Sequence, residues 1–564
     1  MQKDNTYDAI VIGSGISGGW AAKELCDHGV KTLVLERGRN VVHNKDYPTA
    51  TMKPWEFPYR GHMPAKVLEE NPLISKSAGY GEDTAHFFIK DKDHPYVQEK
   101  PFDWIRGYQV GGKSLTWGRA TQRWSNSEFI APAKYGYGIE WPINYNDIAP
   151  WYSHVEKFMG VCGNKDGIDA MPDGEFLPPF ELNCVEKEIQ QKIKANFKDR
   201  HLVHARWAHI TEPQPIHLEQ GRGKCQARNL CMRGCPFGGY FSSNSSTLPW
   251  AEHTGNLTIR PDSVAHSIIY DEKKGKASGV RVIDAKTHEA VEYYAKIIFV
   301  NASALNSVLV LLNSTSSRFP QGLGNDNGVL GKYVAFHNYR AGLGAEMPGF
   351  EDMYYKGRNP TEPIIANYRN LYKHDMDYVG GFTTFIGAYR TRGDEAKLDK
   401  AIGADIKTIK ATPGPWRTYM YMQGETIPKE SNHVRLSTDQ KDQWGIPLLV
   451  TSVGYDDNDE KMIKDFLQAS TEMLEAAGAK GIEGYDSKQA PGLDIHEMGG
   501  CRMGKDPKTS MLNKWNQLHQ CQNVFVTDGA CMTSTGNQSP SILYMALTAR
   551  AANHAVEEMK KGNL

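Results

Sequence analysis

The stretch AIVIGSGISGGWAAKELCDHGVKTLVLERG, Ala9–Gly38, decides the fold. Ala9 to Ile12 read as an apolar strand. A glycine-rich turn follows, then a helical run from Trp20 to His28 that Gly29 ends, then a second strand from Thr32 to Leu35. The turn carries G-x-G-x-x-G at Gly13, Gly15 and Gly18. Gly13 permits the tight turn, Gly15 lets the backbone approach a pyrophosphate, and Gly18 lets the helix pack on its strand. The phosphates would meet backbone N–H groups at the positive end of the helix. Glu36 ends the second strand, where a carboxylate can bond both ribose hydroxyls and favours an unphosphorylated ribose. The alternative is a glycine-rich turn with no ligand, and the full strand–turn–helix–strand–Glu context argues against it. The pattern predicts a dinucleotide site and leaves NAD and FAD undivided.

Around this unit lie 564 residues, enough for two to four domains or one large core with insertions. With 65 basic and 66 acidic side chains the net charge is near zero, which gives no support to nucleic acid or an anionic membrane as partner. MQKDNTYDAIVIGSG moves straight into a strand, with no basic leader or apolar signal region. The most apolar stretch, IIFVNASALNSVLVLLNS (297–314), is interrupted by Asn and Ser, so it reads as a buried strand and helix and not as a membrane span. Nine cysteines in a chain of this length are no disulfide framework.

Along the chain, 41–100 is irregular and rich in Pro, Tyr and charge, and it reads as a lid or partner-contacting excursion. WRTYMYMQGE (Trp416–Glu425) and HVRLS (His433–Ser437) suggest an antiparallel sheet, and a helix is predicted over 459–477.

Further motifs separate the two cofactors. RGYQVGGKSLTWGRATQRW (106–124) holds a Gly111-Gly112-x-Ser114 turn followed by Trp117-Gly118. NLTIRPDSV ends at Val264, and Ala302-Ser303 turn from strand to helix. Gly331-Lys332 run on to His337, and GETIPKESNHVRL spans 424–436. HEMGGCRMG begins at His496, NVFVTDGACM holds Asp528 and Gly529, and GNQSPSILYMALTARAA holds Pro540. In this order and over nearly the whole chain, they resemble the glucose-methanol-choline oxidoreductase family, and within it bacterial sugar and glycoside dehydrogenase large subunits. The resemblance implies an α/β fold: a Rossmann-like FAD-binding domain built from discontinuous segments (1–40, 101–130, 221–331 and 480–564), and a substrate domain with a mainly antiparallel β-sheet and helices (131–220 and 332–479). It implies FAD contacts at Gly111, Gly112, Ser114, Trp117, Val264, Asp528, Gly529 and Pro540. Some pyranose oxidases of the family attach FAD through a His beside the glycine turn. Thr116 stands at that position and cannot form the bond, so FAD is expected to be non-covalent.

Alcohol oxidation by a flavin needs a base for the hydroxyl proton and a carbinol hydrogen aimed at flavin N5. His496 matches the family's catalytic His, and imidazole titrates near neutrality. For the second catalytic position, counting back from SILYMALTAR favours Ser539. Chemistry favours Asn537, whose amide both donates and accepts. Gln423 and Glu425 share a face with Tyr419 and Tyr421 by period-two alternation and resemble positions that face substrate, though internal sheet bonding explains them equally well. A structural role remains the alternative for each.

Cys225, Cys231 and Cys235 form C-x5-C-x3-C before Pro236. Thiolates on such a loop can wrap an iron–sulfur cluster, and three suit [3Fe–4S]; zinc would normally recruit a fourth ligand. The segment resembles the cluster loop of bacterial FAD-dependent glucose and glycoside dehydrogenases. Buried free cysteines are the alternative. The expectation is a dehydrogenase oxidising a sugar or glycoside hydroxyl, such as C3 of a pyranoside to a 3-keto sugar. Electrons would leave through the cluster to a cytochrome c or quinone-type acceptor, with a small partner subunit. If that subunit carries the export signal the protein is periplasmic, and otherwise cytoplasmic. A dioxygen-using oxidase, a non-redox FAD-containing lyase and an electron-relaying flavoprotein subunit are the competing readings.

Overall fold

The computed structural model describes residues 5–353, 361–393, 395–398 and 400–564. The strand Ala9–Ile12 lies at the centre of a six-stranded sheet. It pairs in parallel with Thr32–Leu35 on one side and Ile297–Val300 on the other. Leu257–Arg260 and Cys521–Val526 extend the two sides in parallel, and Gln517–Leu518 caps one edge antiparallel. Every residue of the three central strands is buried. That is why they read as unbroken apolar runs: a parallel sheet is covered on both faces. Ala9 and Val11 pack with Phe299 and Phe525 against helices Ile16–Asp27 and Ser541–Lys560. Ile10 and Ile12 pack on the other face, with Val280, Val282 and Leu305. The chain leaves Ile12 and Val300 in opposite lateral directions, so a crevice opens between their ends at the point where a doubly wound sheet binds ligands.

The second sheet is antiparallel, in the order Lys480–Asp486, Ala341–Met347, Pro413–Glu425, Phe382–Arg392, Pro363–Ile365 and Leu202–His204. Alternation divides its central strand. Trp416, Met420 and Met422 pack towards helices Cys184–Asn196 and Asp457–Ala476, in one apolar cluster with Ile189, Met462 and Phe466. The helix 457–476 starts where Asp456 accepts the Asn458 N–H at 3.0 Å and Asp459 accepts the Asp456 N–H at 2.9 Å, a reciprocal cap.

Two expectations about these segments need correcting. Lys480–Asp486 hydrogen-bonds to Ala341–Met347, so it belongs to the antiparallel sheet and not to the FAD segment that was expected to begin at 480. HVRLS lies in the strand His433–Lys441, which does pair antiparallel, with Pro447–Ser452, but in a separate small sheet that Val97–Gln98 joins in parallel and not in the sheet of Trp416–Glu425. This small sheet packs through Val434 and Leu449 into the core that holds Ile10 and Val300. A short polar-alternating strand looks the same in sequence whichever core it covers. No described helix is long and apolar enough to cross a membrane.

Candidate active site

The two glycine-rich turns meet in the crevice. A Cβ on Gly13 would lie 2.3 Å from the Asn301 carbonyl oxygen, and one on Gly18 would lie 2.0 Å from that of Gly13. Neither gap admits a side chain, so the first turn packs at backbone contact. Gly111 has φ +93°, and a Cβ there would lie 1.6 Å from Asn244 Oδ1. Ser14 ties the turns: its hydroxyl accepts the Gly111 N–H at 2.9 Å and donates to Glu36 Oε2 at 2.5 Å. Glu36 Oε1 accepts the Gly38 N–H at 3.0 Å. Burial pushes the Glu36 carboxyl up. Ser114 Oγ donates to Gly111 O at 2.5 Å and accepts the Ser243 N–H, and Trp117 Nε1 donates to Phe241 O at 2.9 Å.

A single cavity of about 280 Å³ runs through this region. At one end lie Glu36 and Val264, then Gly13, Gly15, Ala302 and Ser303, then Gly112, Ser114, Trp117, Asp528 and Gly529. At the far end lie His496, Ser539, Tyr339, Phe385, Tyr421 and Trp207. The helix Ile16–Asp27 points its N-terminus into the middle with Gly15 as N-cap and no side-chain cap, so its first N–H groups are left for a ligand. Asp528 accepts from Ser307 at 2.5 Å and from the Ala530 N–H at 3.0 Å, and burial pushes its carboxyl up to about 6. Glu497 Oε1 and Tyr544 Oη line the cavity, buried and without a hydrogen-bond partner among the described residues. A long cavity with a carboxylate at one end, an uncapped helix N-terminus midway and unpaired polar atoms beyond fits an extended dinucleotide such as FAD.

The expected contacts divide. Gly13, Gly15, Glu36, Gly112, Ser114, Trp117, Val264, Asp528 and Gly529 line the cavity; Gly18, Gly111, Thr116 and Pro540 lie behind its wall. His496 and Ser539 line it, whereas Asn537 does not. The Asn537 amide donates to Glu128 Oε1 at 3.0 Å and accepts from Thr383 at 3.0 Å, so both of its ends are engaged in protein. Gln423 and Glu425 also stand outside the lining. Gln423 accepts from Ser539 at 3.1 Å and from Tyr339, and Glu425 accepts from Tyr137 at 3.1 Å. Burial lifts the Glu128 carboxyl to about 7, and burial with the nearby Glu128 charge lifts Glu425 to about 8.

Sequence reasoning missed the aromatic end. Tyr421 and Phe385 stack with ring centroids 5.0 Å apart, and Glu362 accepts from both Tyr421 (2.9 Å) and Tyr419 (2.6 Å). The period-two face of the strand signalled Tyr421, but nothing local signalled its partners. Also missed was Asn244, whose amide donates to Val41 O and Val110 O behind the second turn. Lys113, 3.3 Å from Glu497, lines the cavity near His496. His337, read only as the lead-in to the substrate domain, lies with its Nδ1 2.8 Å from that of His496. Between Asp494 and His496, Ile495 adopts φ +63°, a rare conformation for a β-branched residue, and it lines the cavity.

Cys225, Cys231 and Cys235 are all part-buried free thiols. Burial, and then the neighbouring thiols, push the Cys225 thiol up to about 11. Among the described residues, however, no group of three or more His, Cys, Asp or Glu side chains is arranged to hold a metal ion. The three thiols therefore do not fit a cluster as they stand, and the expected ligand set is not supported. Their loop packs beneath the 41–100 excursion: Arg228 donates to Ala50 O, and Arg233 donates to Met52 O and pairs with Asp83 at 2.7 Å. On its other side Arg119, which lines the cavity, reaches Met232 Sδ at 3.7 Å.

A family model described as GMC oxidoreductase matches residues 7–337, and a second of the same description matches 428–548. Among curated proteins, 2-methyl-1,2-propanediol dehydrogenase of Mycolicibacterium austroafricanum is 27% identical over 97% of this chain and 94% of its own. The fructose dehydrogenase large subunit of Gluconobacter japonicus is 25% identical, with 98% of each chain covered. Paromamine 6'-oxidase of Streptomyces fradiae is 26% identical over 97% of this chain and 91% of its own. Among solved structures, formate oxidase of Aspergillus oryzae RIB40 superposes with TM-score 0.61 at 12% identity over 99% of both chains, a likeness of fold.

Proposed function

Because this chain belongs to the GMC oxidoreductase family, whose members are FAD-dependent enzymes acting on alcohol and sugar hydroxyls, we propose that it oxidises a secondary hydroxyl of a sugar or glycoside. The observation that carries this is the single cavity that begins at Glu36 and ends at His496 among aromatic rings. Glu36, Gly13–Gly15 and Gly112–Trp117 would hold FAD without a covalent bond, and the flavin would supply the hydride acceptor. His496 takes the hydroxyl proton; burial, with the nearby Lys113 charge, holds its imidazole well below the ordinary histidine range, so it is a neutral base at physiological pH. Ser539 places a hydroxyl in the same end of the cavity, and Tyr339, Tyr421, Phe385 and Trp207 offer flat apolar faces to the C–H faces of a sugar ring.

The named substrates of the relatives, fructose and paromamine among them, support a polyhydroxylated substrate. Oxidation at C3 of a pyranoside is the reaction we favour. For the cysteine loop the support is its spacing and its place behind Arg119; because the thiols are not gathered as a ligand set, no electron step is assigned to them. Iron and acid-labile sulfide in anaerobically purified protein test for a [3Fe–4S] cluster. Relatives named as a large subunit and as a flavoprotein support a small partner subunit and an external acceptor, with export alongside that partner. Relatives named as oxidases support a second reading, in which dioxygen is the acceptor.

The test is a panel of sugars, glycosides and simple alcohols added without air to FAD-loaded protein. Loss of the 450 nm flavin band with one sugar class is expected. Silence across the panel overturns the reading, and stoichiometric peroxide on adding air favours the oxidase.

A further inference from the structure

His337 is fully enclosed, and its ring stands edge-on to that of His496, with centroids 5.0 Å apart and planes at 79°. Its Nε2 lies 3.0 Å from the Gly536 carbonyl oxygen and 3.2 Å from that of Thr535. Carbonyls only accept, so the proton of His337 sits on Nε2. A neutral imidazole then has a bare lone pair on Nδ1. That lone pair faces His496 Nδ1 at 2.8 Å, so His496 must donate there. The remaining nitrogen of His496, Nε2, has no hydrogen-bond partner among the described residues, and the residue lines the cavity.

We propose that His337 is a positioning residue that locks His496 into the Nδ1–H tautomer, leaving Nε2 as the one lone pair offered to the substrate hydroxyl. This rests on the reading of His496 as the base and adds which atom acts and what makes it so. In the opposite tautomer His496 would present an N–H to the substrate, and two bare Nδ1 atoms would face one another. When the hydroxyl O–H bond breaks, its electron pair stays on oxygen and the proton forms the Nε2–H bond. The C–H pair leaves as hydride to the cofactor that the family activity supplies. The resulting imidazolium keeps its Nδ1–H directed at His337, now as a charge-assisted bond, and the His337 proton stays with the two carbonyls. A neutral ring thus does what a buried carboxylate does in hydrolytic triads: it orients the base without placing a negative charge beside it.

The test reads the tautomer directly. Protein labelled with [15N]histidine gives long-range 1H–15N spectra that separate the two neutral forms, with the His496 signals assigned by their loss in His496→Ala. Protonated Nδ1 and bare Nε2 are expected, and the reverse tautomer overturns the proposal. Two variants add function. His337→Asn keeps an acceptor at the Nδ1 position and should reduce flavin within about tenfold of the parent. His337→Leu removes the acceptor and should slow reduction on the order of a hundredfold, with a mixed tautomer at residue 496. Equal rates for the parent and the Leu variant overturn the proposal. If His496→Ala itself reduces flavin normally, the base reading fails, while the tautomer spectrum still judges the role of His337.

Discussion

The hydroxyl of Ser14 lies 2.5 Å from Glu36 Oε2 and so fixes the carboxylate that ends the second strand, while the same oxygen receives the N–H of Gly111 from the other glycine turn. One small side chain registers both glycine turns of the crevice. Ser14→Ala should fold normally yet bind FAD more weakly, by about 1–2 kcal/mol, or roughly five- to thirtyfold in Kd. Fluorescence titration of apoprotein with FAD measures this, and unchanged affinity would show that Glu36 is held without Ser14.

Arg123 grips Glu156 at two points, Nε to Oε1 at 2.7 Å and Nη2 to Oε2 at 2.6 Å, and neither side chain is exposed beyond 5%. Arg123→Met would strand a buried carboxylate. A loss of about 3–5 kcal/mol is expected, read as a lower Tm of the holoprotein. The double variant Arg123→Met, Glu156→Leu should recover much of the loss, since removing both partners removes the uncompensated charge.

Ser539 and Asn537 should separate cleanly. Ser539→Ala removes a hydroxyl from the cavity and should slow flavin reduction about five- to tenfold with little change in Tm. Asn537→Ala breaks the bonds to Glu128 and Thr383 and should cost about 1–3 kcal/mol of stability, with the smaller effect on rate. A reversed pattern would give the second catalytic position to Asn537 over Ser539.

Burial lowers His337 from the ordinary 6.5 to about 4. Between these values the unfolded chain binds the proton that the folded chain refuses, so the neutral ring's share of stability is complete above about pH 6.5 and is lost as pH falls towards 4. That share approaches roughly 3 kcal/mol. Urea unfolding at pH 7 and pH 5 should show a smaller pH effect in His337→Asn than in the parent, and identical slopes would contradict the assignment.

The glycine-turn end of the cavity was legible because the residues that shape it are contiguous: Gly13, Gly15, Gly18 and Glu36 fall within one strand–turn–helix–strand unit whose spacing is set by local geometry. The aromatic end was not. Trp207, Tyr339, Phe385 and Tyr421 come from four separated segments, and strand pairing directly joins Phe385 to Tyr421 alone among them. Asn537 illustrates why: its amide suits a sugar hydroxyl as well as it suits Glu128 and Thr383, the partners it has in the structure. The sequence carries the chemistry of a side chain but not the direction in which a loop aims it. His337 shows the same limit, since the lone pair that matters is defined by carbonyls of residues 535 and 536, far along the chain.

The parallel sheet draws its strands from residues 9–12, 32–35, 257–260, 297–300 and 521–526, and the helix 541–560 closes one face. A ribosome delivering about 5–20 residues each second therefore exposes the first glycine turn long before the strand that completes its crevice. Cofactor loading in the cell must be a late event, after residue 526 has emerged, and a nascent chain stalled before residue 521 should remain colourless however much riboflavin the medium contains.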